Sequence, residues 1–343
     1  MKLLVTGGAG FIASNFIRYL RHQHPEDTIV NLDVLTYAGN LNSLTDIEAS
    51  SDHYSFVKAD ITNTEDIHSV MRGGVDVIVN FAAESHVDRS ILDPAVFVRT
   101  NVLGTQVLLD VARHYGVKKF VQVSTDEVYG TLDLHSPAFT ETTPLQPNSP
   151  YSASKAAADL LVRAYHETFG LSVNITRCSN NYGPYQFPEK LIPLMIINAL
   201  EDKPLPIYGD GLQIRDWLHV SDHCAGIDLV IRQGRNGEAY NIGGQNERTN
   251  LDIVRTVLKA LGKSESLIQH VEDRPGHDRR YAIDATKIET ELGWLPQYTF
   301  DRGIQETIEW YLGHRSWWES VRSGKYREYY DRQYGSRLES MRT

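Results

Sequence analysis

The chain is poor in cysteine, in long apolar runs and in positive charge, and each shortage removes a class of function. Cysteine occurs only at Cys178 and Cys224, too few for a disulfide framework or a four-cysteine zinc site. Both are expected to be buried thiols, and redox chemistry would have to come from a cofactor. No stretch approaches the ~18 consecutive apolar residues of a membrane helix; even Leu191 to Leu200 is broken by Pro193 and Asn198. Only Leu3 to Val5 precede the polar Thr6-Gly7-Gly8, too short a run for a secretory leader, so a cytoplasmic location without membrane contact is expected. Lys and Arg number 34 against 44 Asp and Glu, a net charge of −10, which argues against nucleic acid or an anionic membrane as partner.

What is present is the composition of a folded protein: 343 residues, 41% hydrophobic and 23% charged, enough for a large core and about two domains. Apolar, β-branched runs recur at Leu3 to Val5, Thr28 to Val30, Tyr54 to Val57, Val75 to Val79, Phe120 to Val123 and Val173 to Ile175. Helical stretches are expected between them at Gly10 to His22, Thr64 to Met71, Ala95 to Tyr115 and Tyr151 to Phe169. That alternation predicts an α/β fold, a doubly wound parallel sheet covered on both faces. Past residue 180 prolines and paired glycines shorten the elements. We expect a dinucleotide-binding domain over 1–180 and a smaller, mixed α/β substrate lobe over 181–343, with some of its segments returning to the first domain. The aromatic tail from Trp310 to Arg337 is expected to be helical, with Trp317, Trp318, Tyr326, Tyr329 and Tyr330 packing on the body.

The first strand runs into Gly7-Gly8-Ala9-Gly10-Phe11-Ile12-Ala13, which fits G-x-G-x-x-G/A. Glycines there let the backbone turn tightly and approach a pyrophosphate at a helix N-terminus. The second strand ends in Asp33, twenty residues beyond Ala13. An acid at that point accepts from ribose hydroxyls and repels a 2′-phosphate, so NAD is expected rather than NADP. Asp60-Ile61, after the third strand, would flank the adenine, and Phe81-Ala82-Ala83, after the fourth, the pyrophosphate.

Ser149-Pro150 is a strong helix start, and it places Tyr151 and Lys155 one turn apart on one face. A free tyrosine, with a pKa of ~10, is a poor base near neutrality; a neighbouring ammonium and a positive nicotinamide ring would favour its phenolate. Ser124 ends the preceding strand.

The glycine turn, the Ser/Thr at the end of the fifth strand and Tyr151-x-x-x-Lys155 together resemble the extended short-chain dehydrogenase/reductase family, over essentially the whole chain. Three motifs are similar to its nucleotide-sugar 4,6-dehydratases: Ser124 to Gly130 (STDEVYG), Ala83 to Ser90 (AESHVDRS), and Arg177 to Pro184 (RCSNNYGP) continuing through Phe187 to Pro193 (FPEKLIP). The resemblance implies oxidation of dTDP-glucose at C4 by tightly held NAD, loss of water across C5 and C6, and hydride return to C6. It implies that Glu127 is the base at C5 and Asp126 the acid at C6, with Thr125 and Tyr151 on the C4 oxygen. Asp126 must then stay protonated, which burial and the adjacent Glu127 would favour. It places Gly7, Gly10, Phe11, Ile12, Asp33, Asp60, Ile61, Phe81, Ala82, Ala83, Ser85, Thr100, Ser124, Tyr151, Lys155 and Asn181 on the cofactor. The substrate would meet Ser85, Asp88, Thr125, Asn180, Lys190, Arg215, Asn250, Arg274 and His277. A homodimer through the helices Ala95 to Tyr115 and Tyr151 to Phe169 is also implied.

His86 with Asp88, and His219 with His223, lack the further ligands of a metal site, and the latter pair is expected to pack or cap. Rival readings are a 4-epimerase, which needs no Asp126-Glu127 pair, a dehydratase of UDP-sugars, and a non-catalytic NAD-sensing scaffold.

Overall fold

A computed structural model describes residues 1–322. The six apolar runs become strands β1 (Lys2–Thr6), β2 (Thr28–Asp33), β3 (Tyr54–Lys58), β4 (Val77–Asn80), β5 (Lys119–Thr125) and β6 (Val173–Cys178). They are followed by β7 (Asn180–Tyr182), β8 (Leu205–Tyr208), β9 (Ile214–His219), β10 (Ala239–Ile242), β11 (Glu247–Thr249) and β12 (Ile268–Val271). One seven-stranded sheet has the order β10-β6-β5-β4-β1-β2-β3, and its pairings are parallel. β4 and β6 are buried along their whole length, as strands covered on both faces must be. The strand order reverses between β1 and β4, which opens a crevice at their carboxyl ends, and the glycine turn leaves β1 at that point.

β10, from the second half of the chain, supplies one edge of this sheet by pairing with β6. The remaining short strands form a mixed three-stranded sheet, β11-β9-β7, and a parallel pair, β12-β8. The apolar helix Leu191–Leu200 packs with Ile253, Trp217, Phe300, Tyr311 and Trp318 into a second core.

The helix expected over Ala95 to Tyr115 spans Pro94 to His114, and its middle, Val98–Leu103, is wound as a π-helix. The wider turn leaves Asn101 buried and hooked three ways: it accepts from Glu84 N–H at 2.9 Å and donates to Glu84 O at 3.0 Å and Ser154 Oγ at 2.8 Å. Such bulges tend to sit at functional sites. By length and composition this 21-residue helix, of hydropathy 1.2, could cross a membrane, yet half of it is buried inside the fold, as in a helix packed on a sheet. The tail forms helices Phe300–Gly313 and Arg315–Val321. Trp318 is buried and Trp317 donates to Ser43; Tyr326, Tyr329 and Tyr330 lie outside the described residues.

Candidate active site

Gly7 leaves β1 with φ +68°, and a Cβ there would fall 2.7 Å from the Ala82 backbone, so the turn lies directly on Phe81-Ala82. Helix Phe11–Gln23 opens at Gly10 with no side-chain cap and no acid in its first turn, which leaves its amino end for an anion. Asp33, at the end of β2, accepts from the Ala9 N–H at 3.0 Å and the Leu35 N–H at 2.7 Å. Burial raises its pKa, against the pull of those two N–H groups. Ala83 follows Ala82 at the end of β4, and Asp60 and Ile61 follow β3, with the Asp60 carboxylate on Thr62. Thr100 lies in the π-helical turn. Ser124 Oγ is buried without a hydrogen-bond partner among the described residues. The uncapped helix, the acid at the end of β2 and this orphaned hydroxyl fit a dinucleotide laid across the carboxyl edge. The Asn181 amide, in contrast, is engaged inside the fold by Ser179 O and His223, each at 2.9 Å.

β5 ends in Thr125, whose Oγ1 caps a 3₁₀ turn, Asp126–Tyr129, by accepting from Glu127 N–H, and it donates to Asp126 Oδ1 at 3.3 Å. Across from it, helix Pro150–Phe169 starts with Ser149 and Ser152 in a reciprocal capping box, and Thr125 exerts a lowering pull on the buried Tyr151 phenol. Lys155 Nζ donates to Val123 O at 2.7 Å. The two adjacent acids have different surroundings. Burial, then the charges of Glu127 and Asp216, push the Asp126 carboxyl well above its usual range, and Oδ2 has no partner among the described residues. Burial also raises Glu127, but Arg274, Lys190 and Arg215 pull it down. Environments that separate two carboxyls in this way suit one as acid and the other as base.

The lowering of the Tyr151 pKa expected from an ammonium and a nicotinamide ring together concerns the cofactor-bound site; the protein's own groups act the other way. Burial, Glu127 and Cys178 push the phenol well above 10, and the Lys155 ammonium is turned to the β5 carbonyl instead.

Beside this centre, a cavity is lined by Asp88, Glu127, Asn180, Lys190, Arg215, Asn250, Arg274 and His277. Its basic side chains arrive from three separate segments, around Lys190, Arg215 and Arg274 to His277. Arg215 donates to Asp278 O and lies over the Tyr281 ring; Arg274 pairs with buried Asp88 at 3.4 Å; His277 meets Asp273 at 2.6 Å. Lys190 Nζ reaches the Ser85 carbonyl at 3.0 Å; Ser85 and Thr125 themselves are not among the lining residues. Sequence reasoning missed Tyr208, Tyr281 and Glu189 in this lining. Tyr208 donates to Asp88 at 3.0 Å, a pairing across 120 residues that no local signal announces. Asn101 was missed for the same reason.

His219 caps helix Val220–Gln233 through Ser221 N–H and stacks on Tyr298 at 3.8 Å, while His223 is buried against Asn181. No group of potential metal ligands occurs among the described residues.

A family model described as GDP-mannose 4,6 dehydratase matches residues 4–307. The dTDP-glucose 4,6-dehydratase of Salmonella typhimurium is 52% identical, covering 98% of this chain and 100% of its own length. That of Xanthomonas campestris is 54% identical over 94% of this chain and 97% of its own. Among solved structures, the dTDP-glucose 4,6-dehydratase of Streptomyces venezuelae with NAD bound has a TM-score of 0.91 at 53% identity, covering 94% of this chain and 100% of that one. The UDP-glucose 4-epimerase of Thermus thermophilus, also with NAD, reaches 0.84 at 30% identity, covering 92% and 100%. With the family model and near-full-length relatives in agreement over a site that carries the glycine turn, Tyr151, Lys155 and the split acid pair, this chain belongs to the GDP-mannose 4,6 dehydratase family, in its dTDP-glucose 4,6-dehydratase branch.

Proposed function

We propose that this enzyme converts dTDP-glucose to dTDP-4-keto-6-deoxyglucose, and that Asp126 and Glu127 perform the elimination. The observation that carries the reading is the contrast between these neighbouring buried carboxyls: burial and the charges of Glu127 and Asp216 push Asp126 well up, whereas Glu127, also raised by burial, faces the opposing charges of Arg274, Lys190 and Arg215. NAD, when bound, supplies a positive ring and the capacity to take a hydride from C4 and return it to C6. Gly7, Gly10, Phe11 and Ile12 would hold its pyrophosphate, Asp33 its ribose, and Ser124 and Lys155 the nicotinamide end, with Asp60, Ile61, Phe81, Ala82, Ala83, Ser85 and Thr100 along its sides.

Tyr151 accepts the C4 hydroxyl proton, with the Thr125 hydroxyl bonded to the same oxygen. The resulting ketone acidifies C5–H, so Glu127 takes that proton while Asp126 donates one to the departing C6 hydroxyl, and water leaves. Lys190, Arg215, Arg274 and His277 face the diphosphate, and Asp88, Asn180 and Asn250 orient the rest.

Three finer readings accompany this one. Val96, Val98, Leu103 and Leu160 are exposed on the paired helices Pro94 to His114 and Pro150–Phe169, a surface that a second copy would cover in a homodimer. Two buried free thiols suit a reducing cytoplasm. The product class would feed deoxysugars such as rhamnose.

The test is mass spectrometry of products from dTDP-glucose and UDP-glucose without added NAD. Loss of one water from dTDP-glucose, faster than from UDP-glucose, is expected. Unchanged mass with a galactose product would favour the epimerase, and no turnover of either sugar the scaffold.

A further inference from the structure

Residues 184–190, between β7 and helix Leu191–Leu200, leave the substrate lobe and fasten to three stretches of the dinucleotide domain. At the start, Asn15 on the helix after the glycine turn donates to Pro184 O at 3.0 Å, and the Arg18 guanidinium lies 4.7 Å from the Tyr185 ring centre. Tyr185 holds φ +66°, a conformation that costs a side-chain-bearing residue energy and persists where surroundings impose it. In the middle, Phe187 meets Tyr37 edge-on at 5.8 Å. Tyr37 belongs to the loop after Asp33, whose far end returns to the glycine turn through Asn40 N–H on Ala9 O at 2.9 Å. At the end, buried Glu189 receives Arg89 at 3.1 Å, and burial together with the Glu189 charge pushes the Tyr37 phenol up. The Arg89 guanidinium also lies 3.7 Å from the Tyr37 ring centre. Lys190 then reaches Ser85 O.

The segment therefore runs from the glycine-turn helix, past the loop that follows the ribose acid, to the stretch after β4. Those are the elements around the dinucleotide crevice. Glu189 is buried and Arg89 partly so, and such a pair carries a desolvation cost that an apolar contact would avoid.

We propose that residues 184–190 are a strap that retains the dinucleotide, with Tyr37, Arg89 and Glu189 as its clasp, and that a nucleoside diphosphate tightens the strap through Lys190. The proposal rests on the NAD-dependent reading above. Lys190 lines the substrate cavity next to Glu189, so a diphosphate and the dinucleotide bias the same segment, and by linkage each raises the affinity for the other by the same factor; a tightened strap would show that gain as slower release of the dinucleotide.

The experiment measures exchange of protein-bound NAD against labelled NAD, with and without dTDP, well below the melting temperature. Variants are Glu189→Gln, Tyr37→Phe and Asn15→Ala. Glu189→Gln should release NAD about tenfold faster or more, since it removes a charge-assisted bond, with a smaller acceleration in Tyr37→Phe and Asn15→Ala. dTDP should slow exchange in the unmodified enzyme and do so much less in Glu189→Gln, a difference that a merely structural contact would not produce. If Glu189→Gln does not fold, the other two variants decide by the same readouts. Unchanged exchange in folded variants of an NAD-carrying enzyme overturns the strap alone. An unmodified enzyme that carries and binds no NAD overturns the functional reading and the strap with it.

Discussion

Tyr129 closes the 3₁₀ turn that begins with the acid pair, and removing its hydroxyl tests how that turn is held. The hydroxyl accepts from Arg177 Nη1 at 2.9 Å and donates to Asn241 Oδ1 at 2.8 Å; all three side chains are buried. Burial pushes its pKa up to about 12, against the pull of Arg177, so it remains a donor at any working pH. Tyr129→Phe keeps the ring on Phe139, stacked at a centroid distance of 5.0 Å, and opens no large cavity. What remains is a buried N–H without its acceptor and a buried amide oxygen without its donor. Each such orphan costs ~1–3 kcal/mol. Arg177 keeps its bond to Asp159 at 2.9 Å, so the loss should fall near ~2–4 kcal/mol, lowering the melting temperature by roughly 3–6 °C for a chain of this length. Urea denaturation measures it, and a double-mutant cycle with Asn241→Ala isolates the Tyr129 to Asn241 bond. The turn also loosens under Asp126 and Glu127, so kcat should fall more than KM rises. Because the folded pKa lies above 10, Tyr129 contributes stability that is present below pH 10 and lost as pH rises towards 12. The variant should lack that alkaline decline. A stability within about 0.5 kcal/mol of the unmodified enzyme would refute the network as a support.

Two further outcomes follow from the site and its surroundings. Asp126→Asn should slow loss of water by roughly 10²–10⁴-fold while C4 oxidation continues, seen as reduced cofactor accumulating on mixing; Glu127→Gln should suppress exchange of the C5 proton with deuterated solvent, and unimpaired exchange would remove it as the base. Burial lowers His219 and His277 to about 4 and His223 to about 3, so the unfolded chain takes up their protons first as pH falls. Stability should be intact above about pH 6.5 and decline below it, by up to ~1.4 kcal/mol per pH unit for each histidine. Urea midpoints that stay flat between about pH 6.5 and 5 would contradict this.

Much of the fold is written in short-range pattern. β1 to β6 coincide with β-branched runs, and Ser149-Pro150 announces the helix that carries Tyr151 and Lys155. What escapes such reading is set by distant partners. β10 is four residues long and looks like any short element of the second lobe; only the exposed edge of β6 makes it part of the main sheet. The π-helical turn at Val98–Leu103 depends on Asn101 meeting Glu84 and Ser154, neither of them near in sequence. For the site, residue types revealed the chemistry, whereas the pKa of Tyr151 did not follow from its spacing to Lys155. Burial, invisible in the letters, outweighs the ammonium that spacing suggests. The Tyr37, Arg89 and Glu189 clasp joins three segments whose individual motifs are silent about one another.

The position of β10 also bears on how the chain comes off the ribosome. When β6 has emerged, its outer edge offers unpaired backbone groups in the middle of an apolar sheet, and the strand that covers it is sixty-one residues further on. Between the two come β7, the apolar helix Leu191–Leu200 and most of the second lobe's first strands. Synthesis therefore passes through an interval in which the sheet is nearly complete but still adhesive to other nascent chains. Closing the catalytic half requires material encoded well into the substrate half, so the two lobes reach their final form together.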